Sequence, residues 1–159
     1  MSKYYNATPT NYAEADEILG SPAVNRLGKE LKIAHNTTIR RVDSDTIAIR
    51  LHDTDVITFH DGLPSGHGSG WIGWTVVNSG GWQTVTTKER INRYLPEGWR
   101  LHQKDFVWYL SNSTGVNGLS DREFVDGLEL LKFEQTTLPD GTIARVPDGV
   151  PPIYVARKS

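Results

Sequence analysis

The chain has 159 residues, and its 17 lysines and arginines against 19 aspartates and glutamates give a formal net charge of −2. That length predicts one compact domain, and the charge argues against a protein that binds polyanions through bulk positive charge. The absence of cysteine excludes disulfides, cysteine-ligated zinc and thiol catalysis.

The first part of the chain predicts two short helices. Asn11 followed by Glu14 is a capping-box pattern, and Gly20 suits the C-terminal end of a helix over residues 12–19. Proline at the first helical position predicts a second helix over residues 22–31. Both helices are short, so each depends on packing against the rest of the domain.

A hairpin is predicted next, because segments 46–52 and 55–60 alternate between apolar and polar residues. Pairing Leu51 with Ile57 gathers the large apolar side chains on one face. That face carries Ile47, Ile49, Leu51, Ile57 and Phe59, and the opposite face carries Arg50, His52, Thr58 and His60.

The middle of the chain predicts a short strand pair and a helix. The expected elements are a glycine-rich loop over 61–73, a strand over 74–77, a turn over 78–81 and a returning strand over 82–85. Thr86 with Glu89 is a second capping box, so we expect a helix that begins at Thr86 and ends at Leu95 before a proline.

The last third predicts further strands. Segments 99–103 and 106–110 form a hairpin in which Leu101 opposes Trp108, so that Trp99, Leu101, Phe106, Trp108 and Leu110 share one face. A polar loop over 111–121 precedes a strand over 123–133 with a bulge at 126–127. A turn over 139–141, a strand over 142–146 and a strand over 153–155 complete the chain.

These elements together indicate an α+β fold with a curved antiparallel sheet, one central helix and short N-terminal helices. We expect a single domain over 1–159. Its parts are an N-terminal helical segment over 1–35, a sheet-plus-helix core over 36–133 and a C-terminal hairpin or tail over 134–159.

Three motifs between residues 36 and 110 carry a family resemblance. They are Leu51-His-x-Thr-Asp-Val56, Asn78-Ser-Gly-Gly-Trp82 and Thr84-Val-Thr-Thr-Lys-x-Arg-Ile-Asn92. This pattern resembles a group of small proteins encoded by tailed bacteriophages, notably those of actinobacteria. The resemblance implies a viral protein that acts inside a bacterial host, in the host cytoplasm, and it implies no particular reaction. The N-terminus has no apolar segment of signal-peptide type, and no membrane span is expected.

A basic and aromatic cluster is the main candidate for a binding site. Threonines at a helix N-terminus favour an anion, arginines hold phosphates, and tryptophans stack on bases. The candidate ligand-binding residues are Arg50, His52, Trp71, Trp82, Thr86, Thr87, Arg90 and Arg100. We expect no cofactor and no metal site.

The favoured function is therefore a phage accessory protein that binds without catalysis. It would sequester a phosphorylated small molecule or nucleic acid, or occupy a host protein, and so counter host defence. Exposed strand edges favour a homo-oligomer.

Two alternatives stay open. One is a metal-independent phosphodiesterase or nuclease that uses His52 with His60 or His102 as base and acid. In the predicted register the rings of His52 and His60 start about 13 Å apart, which counts against direct proton relay. The other alternative is a minor virion or assembly component.

Overall fold

The structure is a computed structural model that describes residues 4–20, 30–61, 71–96, 98–112, 122–133, 135–137, 143–145 and 153–157. In chain order the elements are α1 (Tyr12–Leu19), β1 (Glu30–Ala34), β2 (Thr37–Asp43), β3 (Thr46–Leu51), β4 (Thr54–Asp61), β5 (Trp71–Val77), α2 (Val85–Tyr94), β6 (Trp99–Lys104), β7 (Val107–Asn112), β8 (Arg122–Glu123), β9 (Leu128–Phe133), β10 (Gln135–Thr137), β11 (Ile143–Arg145) and β12 (Ile153–Arg157). Of the predicted loops over 61–73 and 111–121, residues 62–70 and 113–121 lie outside the described residues, as does the predicted turn over 139–141. The described ends of these loops belong to strands β4, β5 and β7.

The strands form antiparallel sheets. Seven of them make one sheet in the order β1-β2-β3-β4-β5-β9-β12, and β6-β7-β8 make a second sheet. The strands β10 and β11 pair with each other. The described residues also form two helices, so the fold is α+β and antiparallel, as predicted. The curvature of the sheet stays a prediction.

The helix α1 confirms the capping pattern. The Asn11 side chain accepts a hydrogen bond from the Glu14 backbone N–H, and Gly20 ends the helix with φ +65°. Ala15, Ile18 and Leu19 are buried on the side that packs against β2, β3 and β4.

The predicted helix over residues 22–31 is wrong in the part that the structure describes, because residues 30–31 begin strand β1. Residues 21–29 lie outside the described range. Glu30 pairs with Arg40, and Leu31 pairs with Ile39. The strand adds to the edge of an existing sheet, and that pairing outweighs the weak preference of a short segment for helix.

The β3–β4 hairpin has the predicted faces but a different register. Ile49 pairs with Ile57, and Ile47 pairs with Phe59, two residues from the predicted alignment. A bulge then inserts Val56, because Arg50 pairs with Asp55. A shift of two residues leaves every side chain on its own face, so the alternating pattern is equally consistent with both registers.

The β6–β7 hairpin shows the same two-residue difference, since Leu101 pairs with Leu110 rather than Trp108. Its turn is Asp105–Phe106, and both residues have positive φ. Phe106 is 92% exposed, so its predicted place on the buried face is wrong: it lies in the turn.

The interrupted strand over 123–133 is two strands in different sheets. Glu123 of β8 pairs with β7, whereas β9 pairs with β5 and β12. The segment at 126–127 is therefore a turn where the chain crosses from one sheet to the other, and the predicted bulge is wrong. A single hydrophobic core joins both sheets and both helices.

Asn92 fastens α2 to the edge of β6. Its Nδ2 donates to the Leu101 carbonyl oxygen at 2.8 Å, and its Oδ1 accepts from the Leu101 N–H at 2.7 Å. The side-chain amide thus replaces a neighbouring strand, and it sets the position of α2 along the sheet.

Candidate functional site

A pocket of about 450 Å³ lies between the β3–β4 turn and the N-terminus of α2. Its lining is mainly apolar surface edged with hydroxyl groups. The lining residues are Leu51, His52, Asp53, Thr54, Val56, Ser79, Trp82, Thr84, Thr86 and Thr87.

The N-terminus of α2 forms one wall. Thr84 is the N-cap, and its Oγ1 accepts a hydrogen bond from the Thr87 N–H at 3.2 Å. The cap is therefore two residues earlier than predicted. The expected strand over 82–85 is also wrong, because Trp82 N–H donates to the Ser79 carbonyl and Thr84 N–H donates to the Trp82 carbonyl. This tight turn leads the chain straight into the helix.

The loop before that turn forms a second wall. Asp126 Oδ1 accepts hydrogen bonds from both the N–H and the hydroxyl of Ser79, each at 2.7 Å. Gly80 has φ +64°, and a Cβ placed there would lie 2.6 Å from Thr54 Oγ1. The loop therefore packs directly against the start of β4, which holds the pocket wall in place.

The β3–β4 turn closes the pocket on the other side. His52 has φ +54°, and its N–H donates to the Asn36 carbonyl at 2.9 Å. The side chains of His52 and Asp53 are exposed, so both present polar atoms at the pocket rim.

Trp82 is the aromatic surface of the pocket. It is 67% exposed, whereas Trp99 and Trp108 are buried in the core. Binding sites in which an aromatic ring stacks on a planar ligand commonly have such an exposed ring beside a cavity.

Four of the eight predicted ligand-binding residues line this one pocket: His52, Trp82, Thr86 and Thr87. Arg50, Arg90 and Arg100 are not among them, and the lining that the described residues form includes no lysine or arginine.

Arg50 lies in an ion-pair network on β3. Its Nε is 3.2 Å from Asp55 Oδ1, its Nη1 is 3.3 Å from Glu30 Oε1, and Arg40 binds the same Asp55 carboxylate through two nitrogens. Partial burial alone would raise the pKa of Asp55, but the hydrogen bonds and charges of the two arginines outweigh burial and lower that pKa below its ordinary value.

We expect Asp55→Asn to lower the free energy of unfolding at pH 7 by about 1–2 kcal/mol, because Arg40 loses its charged partner and Arg50 keeps only Glu30. Since the folded-state pKa is lowered, this stabilisation is complete above the ordinary value of 3.8 and is lost as the pH falls below it. Urea unfolding at several pH values measures the difference. Asp45→Asn, an exposed turn substitution with the same charge change, is the control; a difference that stays constant down to pH 2 contradicts the prediction.

Arg90 is buried and structural. Its Nε donates to Thr37 Oγ1 at 3.0 Å, its Nη2 donates to the His35 carbonyl at 3.3 Å, and it forms an ion pair with Glu89. The guanidinium thus ties α2 to the β1–β2 turn. Its charge and donors are used inside the protein.

Trp71 begins β5 and pairs with Phe133, so it belongs to a strand rather than to the predicted loop. Val77 at the other end of β5 is six residues away, about 20 Å along a strand, and it precedes the loop that walls the pocket. Arg100 is an exposed residue of β6 in the second sheet. Arg100 is not among the described residues that line the pocket.

Sequence reasoning missed Ser79 and Thr84 as pocket residues. Thr84 followed by Thr87 has the spacing of a capping pair, and that signal was available beside the one at Thr86. Ser79 is placed by Asp126, 47 residues later in the chain, and no local pattern predicts that contact.

A comparison with protein-family models matches residues 23–131 to the model described as Kyanoviridae Gp96 protein. That range covers more than two thirds of the chain and every residue that lines the pocket. The chain belongs to the Kyanoviridae Gp96 protein family.

The Kyanoviridae Gp96 family is a phage protein family, so the predicted phage origin is confirmed. The finer resemblance to proteins of actinobacterial phages stays a prediction. Searches of the curated proteins and of the solved structures gave no significant match.

His52 and His60 of this Gp96 family member lie far apart on the sheet. His60 pairs with Thr46, six residues along β3 from His52, so about 20 Å separates them. His60 stacks on Trp74 with ring centroids 3.8 Å apart. Burial lowers the pKa of His60, and the charges of Asp43 and Glu129 oppose only part of that shift. His52 and His60 are therefore too far apart for direct proton relay, and His102 lies on β6 in the other sheet.

Two further properties concern the described residues. Within the described ranges there is no group of three or more histidine, aspartate or glutamate side chains arranged to hold a metal ion. The helices in that part of the chain are too short and too polar to span a membrane.

Proposed function

We propose that this phage protein is a binding protein whose pocket holds one nucleotide-sized ligand with its ring stacked on Trp82. The observation that carries the proposal is the cavity of about 450 Å³ with a 67% exposed tryptophan at its wall. Pockets for small ligands usually measure about 300–1,000 Å³ and combine apolar surface with a few polar groups.

The pocket chemistry favours a ring with polar substituents. The exposed Trp82 supplies a stacking surface. Thr86 and the first-turn amides of α2 supply donors for one anionic group, and Asp53 on the opposite rim supplies an acceptor for sugar hydroxyls. A nucleoside monophosphate has all three kinds of group.

The charge of the lining limits how strongly phosphate contributes. Since the described lining includes no lysine or arginine, few counterions are released on binding, so we expect a weak salt dependence. A site lined by arginines would give a steep dependence instead. Sequestering such a ligand in the host cytoplasm, and countering a host defence in that way, is the role we propose.

Trp82→Ala tests the proposal. We expect it to weaken the binding of a nucleoside monophosphate by about tenfold or more, since stacking of a base on an aromatic ring contributes about 1–3 kcal/mol. Isothermal titration calorimetry with AMP, GMP, CMP and UMP measures the affinity, and adenosine and inorganic phosphate separate the contribution of the ring from that of the anion.

Phe106→Ala is the matched control, because Phe106 is also an exposed aromatic residue but lies in the β6–β7 turn. It should leave the affinity unchanged. Equal affinities of Trp82→Ala and wild-type protein, or no binding of any mononucleotide at millimolar concentration, would refute the proposal. Recovery of intact nucleotide after incubation distinguishes binding from hydrolysis.

A further inference from the structure

The three-stranded sheet has a buried face and an open face. Trp99, Leu101, Trp108 and Leu110 pack into the core from one side. Arg100 and Lys104 alternate with these residues along β6 and are exposed. Cross-strand partners point to the same side of a sheet, so His102 and its partner Tyr109 on β7 share this side.

We define the open face by four residues: Arg100, His102, Lys104 and Tyr109. Its positive charge comes from Arg100 and Lys104, and the ion pairs of the described residues do not neutralise it. Among the described residues, Arg40, Arg41, Arg50, Arg90 and Arg93 all pair with carboxylates. None of these pairs includes Arg100 or Lys104. The two cations lie four residues apart on one strand, so about 13 Å separates them.

Between the two cations lies an aromatic pair. The rings of His102 and Tyr109 are stacked with centroids 5.9 Å apart and an interplanar angle of 25°. Ser111 Oγ lies 3.1 Å from His102 Nδ1 and fixes the orientation of the imidazole. The sheet therefore presents two stacked rings with a cation on either side. The distance between the two cations is larger than a single phosphate group.

We infer that the open face binds single-stranded nucleic acid, with phosphates at Arg100 and Lys104 and a base against the rings between them. Stacking rings combined with cations that follow the backbone are the features by which proteins hold single strands. Glu123 lies beside Tyr109 on β8. Its negative charge repels phosphates and so keeps the nucleic-acid strand along β6. This surface is separate from the pocket, and the inference stands without the proposed function.

Fluorescence anisotropy with a labelled oligo(dT) or oligo(U) probe of about ten nucleotides tests the inference. We expect binding at about 50 mM salt that weakens as salt rises. Arg100→Gln and Lys104→Gln should each weaken binding about threefold to tenfold and reduce the salt slope by about one. Tyr109→Ala should weaken it about tenfold, and Tyr109→Phe should retain affinity.

Lys32→Gln is the control, because Lys32 is an exposed lysine on β1 of the other sheet. It should retain the wild-type affinity, and Trp82→Ala should do so as well, which separates this test from that of the pocket. Three results would overturn the inference: no binding at low salt, equal affinities of Arg100→Gln, Lys104→Gln and Lys32→Gln, or equally effective competition by a polyglutamate peptide, which would indicate an acidic protein partner.

Discussion

Asn92→Ala is expected to lower the free energy of unfolding by about 2–4 kcal/mol. Leu101 is 1% exposed, and the Asn92 amide satisfies both its N–H and its carbonyl. Without the amide, two backbone groups at the edge of β6 lose their partner, and each buried polar group left unpaired costs about 1–3 kcal/mol. Urea unfolding followed by tryptophan fluorescence measures the change.

Lys88→Ala is the control for that substitution. Lys88 lies one turn earlier on α2, and its Nζ is 3.5 Å from Gln103 Oε1, a long contact at the surface. We expect a change within about 0.5 kcal/mol. If Asn92→Ala is as stable as Lys88→Ala, the Asn92 side chain does not hold α2 against β6.

Gly80→Ala is expected to lower the free energy of unfolding by about 2–4 kcal/mol as well. Gly80 has φ +64°, and its added Cβ would lie 2.6 Å from Oγ1 and 2.7 Å from Cγ2 of Thr54. The left-handed backbone alone costs a residue other than glycine about 1–2 kcal/mol, and the loop must also move away from β4. Because this loop walls the pocket, the affinity for a nucleoside monophosphate should fall too.

The neighbouring glycine provides the matched comparison. Gly81 has φ +84°, but nothing lies within 4 Å of a Cβ placed there, so Gly81→Ala should show only the backbone effect of about 1–2 kcal/mol. Combining Gly80→Ala with Thr54→Ala should recover the steric part in a double-mutant cycle. Equal effects of the two glycine substitutions would mean that Gly80 does not pack on Thr54.

Local sequence patterns predicted best the helices and strands whose ends are set by residues close to them in the sequence. The helix α1 begins after Asn11 and ends at Gly20 as expected, because capping groups lie within four residues of the backbone groups they satisfy. The cap of α2 was placed two residues too late, at Thr86 rather than Thr84, and its C-terminus was placed to within one residue. The apolar face of β3 and β4 followed from alternation alone.

The registers of both hairpins required the structure. Each differs by two residues from the prediction, and each hairpin closes through residues with positive φ, His52 in one and Asp105 with Phe106 in the other. These residue types are not the usual signal for such turns, which is Asn-Gly or Asp-Gly. The pattern therefore contained no information that would select the observed turn in either hairpin.

The candidate site shows the same difference between residues placed by local contacts and residues placed by long-range contacts. A tryptophan and threonines close in sequence to a helix N-terminus do line one pocket, because α2 brings them together locally. The arginines were predicted from their charge, and their places depend on residues distant in sequence: Glu30 for Arg50, and Thr37 and His35 for Arg90.

Capping, alternation and composition were enough to predict the α+β class, the helices α1 and α2, and the faces of β3 and β4. Tertiary packing decided which cations pair with carboxylates, which sheet each strand joins, and where an open cavity is left. The physical reason is how far along the chain each interaction acts. A helix cap or a two-residue period acts between near neighbours. An ion pair between strands or a pocket wall forms only once strands that are far apart in the chain lie side by side.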